Sequence, residues 1–215
     1  LGHGWVLTAN HVGAGVVVFG DIRYDPIPDT LLRLENPDGT PSDLLVFRIE
    51  GAPTLPDLPL LPIARRTPPP DSDVVMIGAG LSRGDRVSVQ GSSGESLDGF
   101  LWGSDSRMRW GRNRVAGAPF RLAHDHGHTQ AFATAFDRSD DGAAMPDEAQ
   151  AAEGDSGGAV FAHRDPYDPT RGWDLAGVMF TVSRRDDQPE RTALYGDHTF
   201  SADLSRYRSQ ILARV

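Results

Sequence analysis

A serine flanked by glycines lies late in the chain, in the run Gly154-Asp155-Ser156-Gly157-Gly158. Glycines beside a serine permit a tight turn in which backbone N–H groups point at one spot. Such a turn presents the serine hydroxyl as a nucleophile, and the N–H groups of Gly154 and Ser156 would form an oxyanion hole. The alternative is an ordinary glycine-rich β-turn that holds a serine by chance.

A histidine, His11, follows the first apolar run of the chain, residues 5–9, after one asparagine. An imidazole titrates near neutrality, so it can accept a proton from a serine hydroxyl and return it to a leaving group. This position predicts a general base at the end of a strand. The alternative is a structural histidine at a strand end.

A carboxylate, Asp43, opens an apolar run that contains no other polar residue before Arg48. A carboxylate in this position would orient the imidazole and stabilise its protonated form. The alternative is a turn aspartate that precedes a strand, and Asp29 before Leu31 is a rival in similar surroundings. We favour Asp43 because its strand is the more apolar.

Short β-branched or apolar runs separated by Gly, Pro, Asp and Asn predict an all-β chain. The predicted strands cover residues 5–8, 15–20, 30–34, 44–49, 74–77, 87–89, 131–136, 159–161 and 175–182. Helical spacing appears only at the end, and it predicts a helix over 201–215 that Ser201 or Asp203 caps. The apolar positions of this helix are Leu204, Tyr207, Ile211, Leu212 and Val215.

Prolines recur between residues 53 and 70, and each one removes a backbone donor and fixes φ. This spacing predicts an extended linker over 53–70 between two units. The first unit, residues 1–52, would contribute His11 and Asp43, and the second, residues 71–200, would contribute Ser156.

The composition limits the possible partners. The 215 residues carry a formal net charge of -9, which disfavours binding to nucleic acid. No apolar run approaches the length of a membrane span. The absence of cysteine excludes disulfides, zinc–thiolate sites and a cysteine nucleophile.

Together, the three chemical segments resemble those of the trypsin-like serine proteases, in particular a cysteine-free bacterial-type member. The segment "VLTANHV" is similar to the family's histidine motif, "SDLLVFRI" to its aspartate strand and "GDSGGAVF" to its nucleophile loop. The order His, Asp, Ser also matches. The resemblance implies two antiparallel six-stranded β-barrels of the chymotrypsin type with a C-terminal helix, and a cleft between the barrels that holds His11, Asp43 and Ser156.

The resemblance also implies an activity and its setting. It implies a monomeric endopeptidase that acts on protein or peptide substrates, needs no cofactor or metal, and is secreted or periplasmic. The family places two strands before its histidine strand, whereas four residues precede Trp5 here, so we expect an N-terminally truncated first barrel. In the family a newly cut N-terminus pairs with the aspartate that corresponds to Asp155, so we expect Asp155 to find another partner.

Counting from the family's landmarks places six residues in the pocket that binds the side chain before the scissile bond (P1). They are Gln150 at the floor, then Ala151, Phe180, Thr181, Val182 and His198. Members that cleave after Arg or Lys carry an aspartate where this chain has Gln150. The pocket is therefore predicted to prefer a small or polar P1 side chain, because a buried cation without a counter-charge is costly.

Two other hydrolase classes fit the motif order poorly. The spacing Gly154-x-Ser156-x-Gly158 also fits the nucleophile elbow of α/β-hydrolases, but their order is Ser, acid, His, and the strand–helix alternation of a parallel sheet is missing. Subtilisin order needs an acid before the histidine, and no acidic residue precedes His11.

Two further interpretations stay open. The run His124-Asp125-His126-Gly127-His128 is either a metal site or, as we favour, a solvated loop. The whole chain could also be a catalytically inactive, protease-like binding module, although an intact His11, Asp43 and Ser156 argues against that.

Overall fold

The first β-sheet of the protein contains the histidine and aspartate segments. In the computed structural model, which describes residues 1–51, 55, 58, 60–125, 127–140, 142 and 144–215, this sheet has the order β1-β5-β4. Its strands are β1 (Trp5–Ala9), β4 (Pro26–Glu35) and β5 (Pro41–Ile49). Strand β5 is buried along nearly its whole length, because it is central and apolar on both faces. A separate hairpin, β2 (Val17–Phe19) with β3 (Ile22–Tyr24), packs beside the sheet.

The second unit is a closed six-stranded antiparallel barrel that follows the predicted pattern. Its order is β10-β14-β12-β11-β6-β9. The strands are β6 (Asp73–Gly78), β9 (Arg109–His124), β10 (Gly127–Ala135), β11 (Ala159–His163), β12 (Trp173–Val182) and β14 (His198–Asp203). One all-β barrel, a partial sheet ahead of it and a helix at the end confirm the predicted fold class.

A third sheet lies outside the barrel, and only residues 87–89 of it were predicted as a strand. It has the order β13-β8-β7, with β7 at Leu81–Gln90, β8 at Ser96–Ser106 and β13 at Thr192–Leu194. Long, polar strands such as β8 alternate weakly in hydrophobicity, so the sequence pattern missed them.

The chain ends in the predicted helix, α1 (Leu204–Leu212), which is shorter than residues 201–215. Asp203 is its N-cap and accepts a hydrogen bond from the Ser205 N–H, whereas Ser201 lies within β14. The fully buried Tyr207 connects this helix to both main sheets. Its hydroxyl donates to Asn36 Oδ1 at 2.7 Å and accepts from the Gln130 N–H at 2.9 Å.

The predicted linker lies only partly within the described residues. Pro53, Pro56 and Pro59 fall outside them. In the described remainder, Ile63 is buried and forms an isolated bridge with Leu175 of β12. Within the described residues, every helix is too short or too polar to cross a membrane.

Candidate active site

His11 and Asp43 meet through two hydrogen bonds at the end of the first sheet. The Asp43 Oδ2 atom lies 2.6 Å from His11 Nδ1, and Oδ1 accepts the His11 backbone N–H at 2.9 Å. The antiparallel pairing of β1 with β5 explains this contact, because Ala9 lies opposite Leu44. His11, which follows β1, and Asp43, which precedes Leu44, therefore lie at the same end of the sheet. The rival Asp29 is exposed on β4. With the carboxylate on Nδ1, the imidazole leaves Nε2 free to act as a base.

Asp43 is buried, while its histidine partner is open to solvent. The side chain of Asp43 is 11% exposed and that of His11 is 47% exposed. The Asp43 backbone donates to the hydroxyl of Thr129, a fully buried residue of β10, at 2.8 Å. The same hydroxyl lies 3.2 Å from His124 Nε2. The second unit thus fixes the acid of the first, a role for Thr129 that nothing in its local sequence signalled.

The turn that holds Ser156 needs its glycines. Gly154 and Gly157 have φ values of +90° and +87°, in the left-handed region that favours glycine. The Gly157 N–H donates to the Met179 carbonyl at 2.8 Å, and the Met179 N–H donates to the Gly158 carbonyl at 2.9 Å. These two bonds attach the turn to β12.

The serine turn packs directly against the strand that leads to His11. A Cβ atom on Gly157 would lie 2.4 Å from the Thr8 hydroxyl and 3.7 Å from the Ala9 nitrogen. Ser156 is therefore brought to the end of β1, two residues before His11. Among the described residues, no hydrogen bond joins the Ser156 hydroxyl to His11.

Two N–H groups beside the serine are available to a ligand. Within the described ranges, the backbone N–H groups of Gly154 and Ser156 have no hydrogen-bond partner in the protein. Unpaired N–H groups of a nucleophile and of the residue two before it can stabilise a developing oxyanion.

Asp155 is held by backbone N–H groups on both sides. Its Oδ1 accepts from Gly80 at 2.7 Å, and its Oδ2 accepts from Ala152 at 2.9 Å. A Cβ atom on Gly80 would lie 2.5 Å from the Asp155 Cγ, so only glycine permits this approach. Sequence reasoning anticipated that Asp155 would have another partner but did not find Gly80, which lies 75 residues away in the chain.

The residues predicted for the specificity pocket lie on three segments. Gln150 and Ala151 line a cavity of about 810 Å³ that also touches Asp155 and the outer sheet, whereas the other four predicted residues are not part of its described lining. Both polar atoms of the Gln150 side chain are buried without a partner in the described part of the chain. Phe180, Thr181 and Val182 end β12, and His198 opens β14. The Ala151 N–H donates to Thr199 Oγ1 at 2.9 Å, which links the first segment to the third.

The histidine-rich run forms a hairpin instead of an open loop. His124 ends β9 and His128 lies near the start of β10, while His126 lies outside the described residues. His128 is buried, and its pKa is lowered by burial and by the neighbouring Arg121 guanidinium. In the part of the chain that the structure describes, no three His, Asp or Glu side chains converge as metal ligands would.

No protein-family model and no curated protein sequence matches the chain. Solved structures do match it over almost its whole length. Kallikrein-related peptidase 10, in complex with Zn²⁺, aligns with 99% of this chain and 85% of its own, at a TM-score of 0.56 and 14% identity. Neuropsin, a serine protease expressed in the limbic system of mouse brain, aligns over the same shares at a TM-score of 0.51 and 15% identity.

A mycobacterial protein gives a similar result. The inactive form of a serine-to-alanine mutant of Rv3671c, from M. tuberculosis H37Rv, aligns with 99% of this chain and 78% of its own, at a TM-score of 0.50 and 16% identity. At these identities the likeness concerns the fold. The chain has the fold of chymotrypsin-like serine proteases, with a three-stranded sheet in the place of the first barrel.

Proposed function

We propose that this protein is a serine endopeptidase that hydrolyses peptide bonds through an acyl-enzyme. The observation that carries the proposal is the double contact of Asp43 with His11, because one carboxylate holds both the ring and the backbone of the proposed base. A histidine oriented in this way beside a glycine-rich serine turn is the arrangement that nucleophilic catalysis requires.

In the proposed mechanism, each of the three residues has one task. The Ser156 hydroxyl attacks the substrate carbonyl, while His11 Nε2 takes its proton and later gives it to the leaving amine. Asp43 keeps the Nδ1–H tautomer and stabilises the imidazolium that forms. The N–H groups of Gly154 and Ser156 would bind the developing oxyanion. No step calls for a metal or an organic cofactor.

The proposed specificity is for a small or polar P1 side chain, with no preference for Arg or Lys. Its support is Gln150, whose buried amide offers hydrogen bonds but no negative charge. Val182 would narrow the pocket, and His198 would add a second polar group. A library of fluorogenic peptides varied at P1 tests this, and fastest cleavage after Arg or Lys would refute it.

A reactive-serine probe tests the main proposal. A fluorophosphonate should label the wild-type protein on Ser156, as mass spectrometry of its peptides would show, and should not label Ser156→Ala. His11→Ala should label far more slowly, because the hydroxyl loses its base. Labelling of another residue would contradict the assignment. So would a Ser156→Ala or His11→Ala variant that labels as fast as the wild type.

The alternative is a protease-like binding module without catalysis. The observation in its favour is that, among described residues, Ser156 makes no hydrogen bond to His11. Such bonds are often long without substrate and tighten when it binds, so we favour the enzyme. An unlabelled wild-type protein that still binds peptides would support the module.

Three further features belong to the proposal. The chain is divided by function into a first unit (1–52), a linker (53–70), a second unit (71–200) and a C-terminal helix (201–215). The substrate binds between the two units. The protein acts as a monomer, and it is secreted or periplasmic. Light scattering and cell fractionation test the last two.

A further inference from the structure

A second cavity, of about 600 Å³, lies between the segment 61–72, the end of β11 and the end of α1. Much of its wall is apolar, formed by Leu61, Pro62, Pro68, Pro69 and Leu212. Strand β11 starts three residues after Ser156 and ends at this cavity. The strand has five residues, so the cavity lies roughly 13 Å beyond the start of β11 and outside the candidate active site.

The charge in this cavity is positive, unlike that of the whole chain. Four arginines line it, Arg65, Arg66, Arg164 and Arg208, with one carboxylate, Asp174. Asp174 pairs with Arg164 at 2.8 Å. Over the described residues, the other three arginines have no carboxylate partner. In a chain of net charge -9, it is unexpected that three guanidinium groups around one cavity have no carboxylate partner among the described residues.

Ser72 and His163 complete the lining of this cavity. Their atoms Ser72 Oγ and His163 Nδ1 are buried and, within the described ranges, have no hydrogen-bond partner. Because these two atoms are shielded from solvent, the arginine side chains are the groups that can reach a ligand in the cavity.

We propose that this cavity binds an acidic peptide segment, whose carboxylates pair with Arg65, Arg66 and Arg208. Guanidinium groups bind carboxylates through two parallel hydrogen bonds, which gives such a site its selectivity. The cavity is too large for a single phosphate ion, and its proline and leucine walls suit a peptide chain.

Calorimetric titration of the full chain tests the proposal without reference to catalysis. The probe is a peptide of alternating Glu and Ser, and its matched control alternates Gln and Ser. The acidic peptide should bind one per chain, more weakly as salt rises, and the Gln peptide should not bind. Failure of the acidic peptide to bind would overturn the proposal.

Two double variants locate the site. Arg65→Gln with Arg66→Gln removes two exposed charges of the cavity and should weaken binding about tenfold or more. Arg23→Gln with Arg185→Gln removes the same charge from exposed positions elsewhere and should change affinity by less than about twofold. Equal effects of both pairs would mean that only net charge matters, and would overturn the site.

A third variant and a second probe complete the test. Arg208 also donates to the Ile63 carbonyl at 3.3 Å, so Arg208→Gln is compared with wild type by thermal unfolding before its affinity is measured. Its loss of affinity at unchanged unfolding temperature supports the site. Inorganic phosphate is the second probe. If phosphate bound as tightly as the acidic peptide, the cavity would be a site for small anions and the peptide proposal would be overturned.

Discussion

The substitution Asp43→Asn isolates the contact on which the proposed mechanism depends. Asparagine keeps one oxygen, which can still accept the His11 backbone N–H that Asp43 now holds at 2.9 Å. The amide nitrogen must then face His11 Nδ1 in place of the oxygen at 2.6 Å. Because an NH₂ group can only donate there, Nδ1 loses its proton to Nε2, and the ring can no longer accept a proton from Ser156.

The expected cost is a fall in kcat of about 10⁴, or roughly 5 kcal/mol in the activation barrier. Folding should change little, because the contact of the Asp43 backbone with Thr129 does not involve the substituted group. The assay is kcat on a peptide or ester substrate, with thermal unfolding measured on the same samples.

The matched control is Asp29→Asn, which makes the same chemical change at an exposed carboxylate on the neighbouring strand β4. It should retain the wild-type rate. If Asp43→Asn stayed within about tenfold of wild type, or if Asp29→Asn were equally slow, the assignment of the acid would be refuted.

Three other substitutions test the positioning of the site and of the helix. Gly157→Ala should lower kcat by about 10² or more, because its Cβ atom would lie 2.4 Å from the Thr8 hydroxyl of β1. The control Gly39→Ala has a similar φ but open space around its Cβ atom, so it should leave kcat unchanged. Thr129→Val should lower kcat about tenfold by removing the acceptor of the Asp43 N–H, and Thr129→Ser should restore it. Burial raises the pKa of Tyr207 to about 12, so the unfolded state loses the phenol proton at a lower pH than the folded state does. The free energy of unfolding, measured with urea, should therefore fall by on the order of 2 kcal/mol between about pH 10 and about pH 12. In Tyr207→Phe this part of the fall should be absent.

The sequence was sufficient to predict the fold class and to bring forward Asp43, because these features have local signals. A strand pattern of period two marks most of the barrel strands, and the apolar run after Asp43 marks the central strand β5. The contact of Asp43 with His11 depends on the register, which pairs Ala9 with Leu44. Register depends on contacts between strands that the spacing of residues does not encode.

The contacts of Thr129 and Gly80 could not be predicted from local sequence signals. Thr129 contacts Asp43 across 86 residues, and Gly80 contacts Asp155 across 75 residues. A threonine in a strand or a glycine after a strand is common in any β protein, so neither residue has a local signature. Apart from residues 87–89 of β7, the outer sheet that includes β7 and β8 escaped prediction for the related reason that its strands bury little apolar surface.

The hydroxyl of Tyr207 has a consequence for the order in which the molecule is completed. It bonds to Asn36 in the first unit and to Gln130 in the barrel, yet it belongs to the helix that follows every strand in the chain. During synthesis from the N-terminus, the described strands of both units therefore emerge before Tyr207. The contact between Asp43 and Thr129 can form earlier, and the helix adds its two bonds to an assembly whose strands are already present.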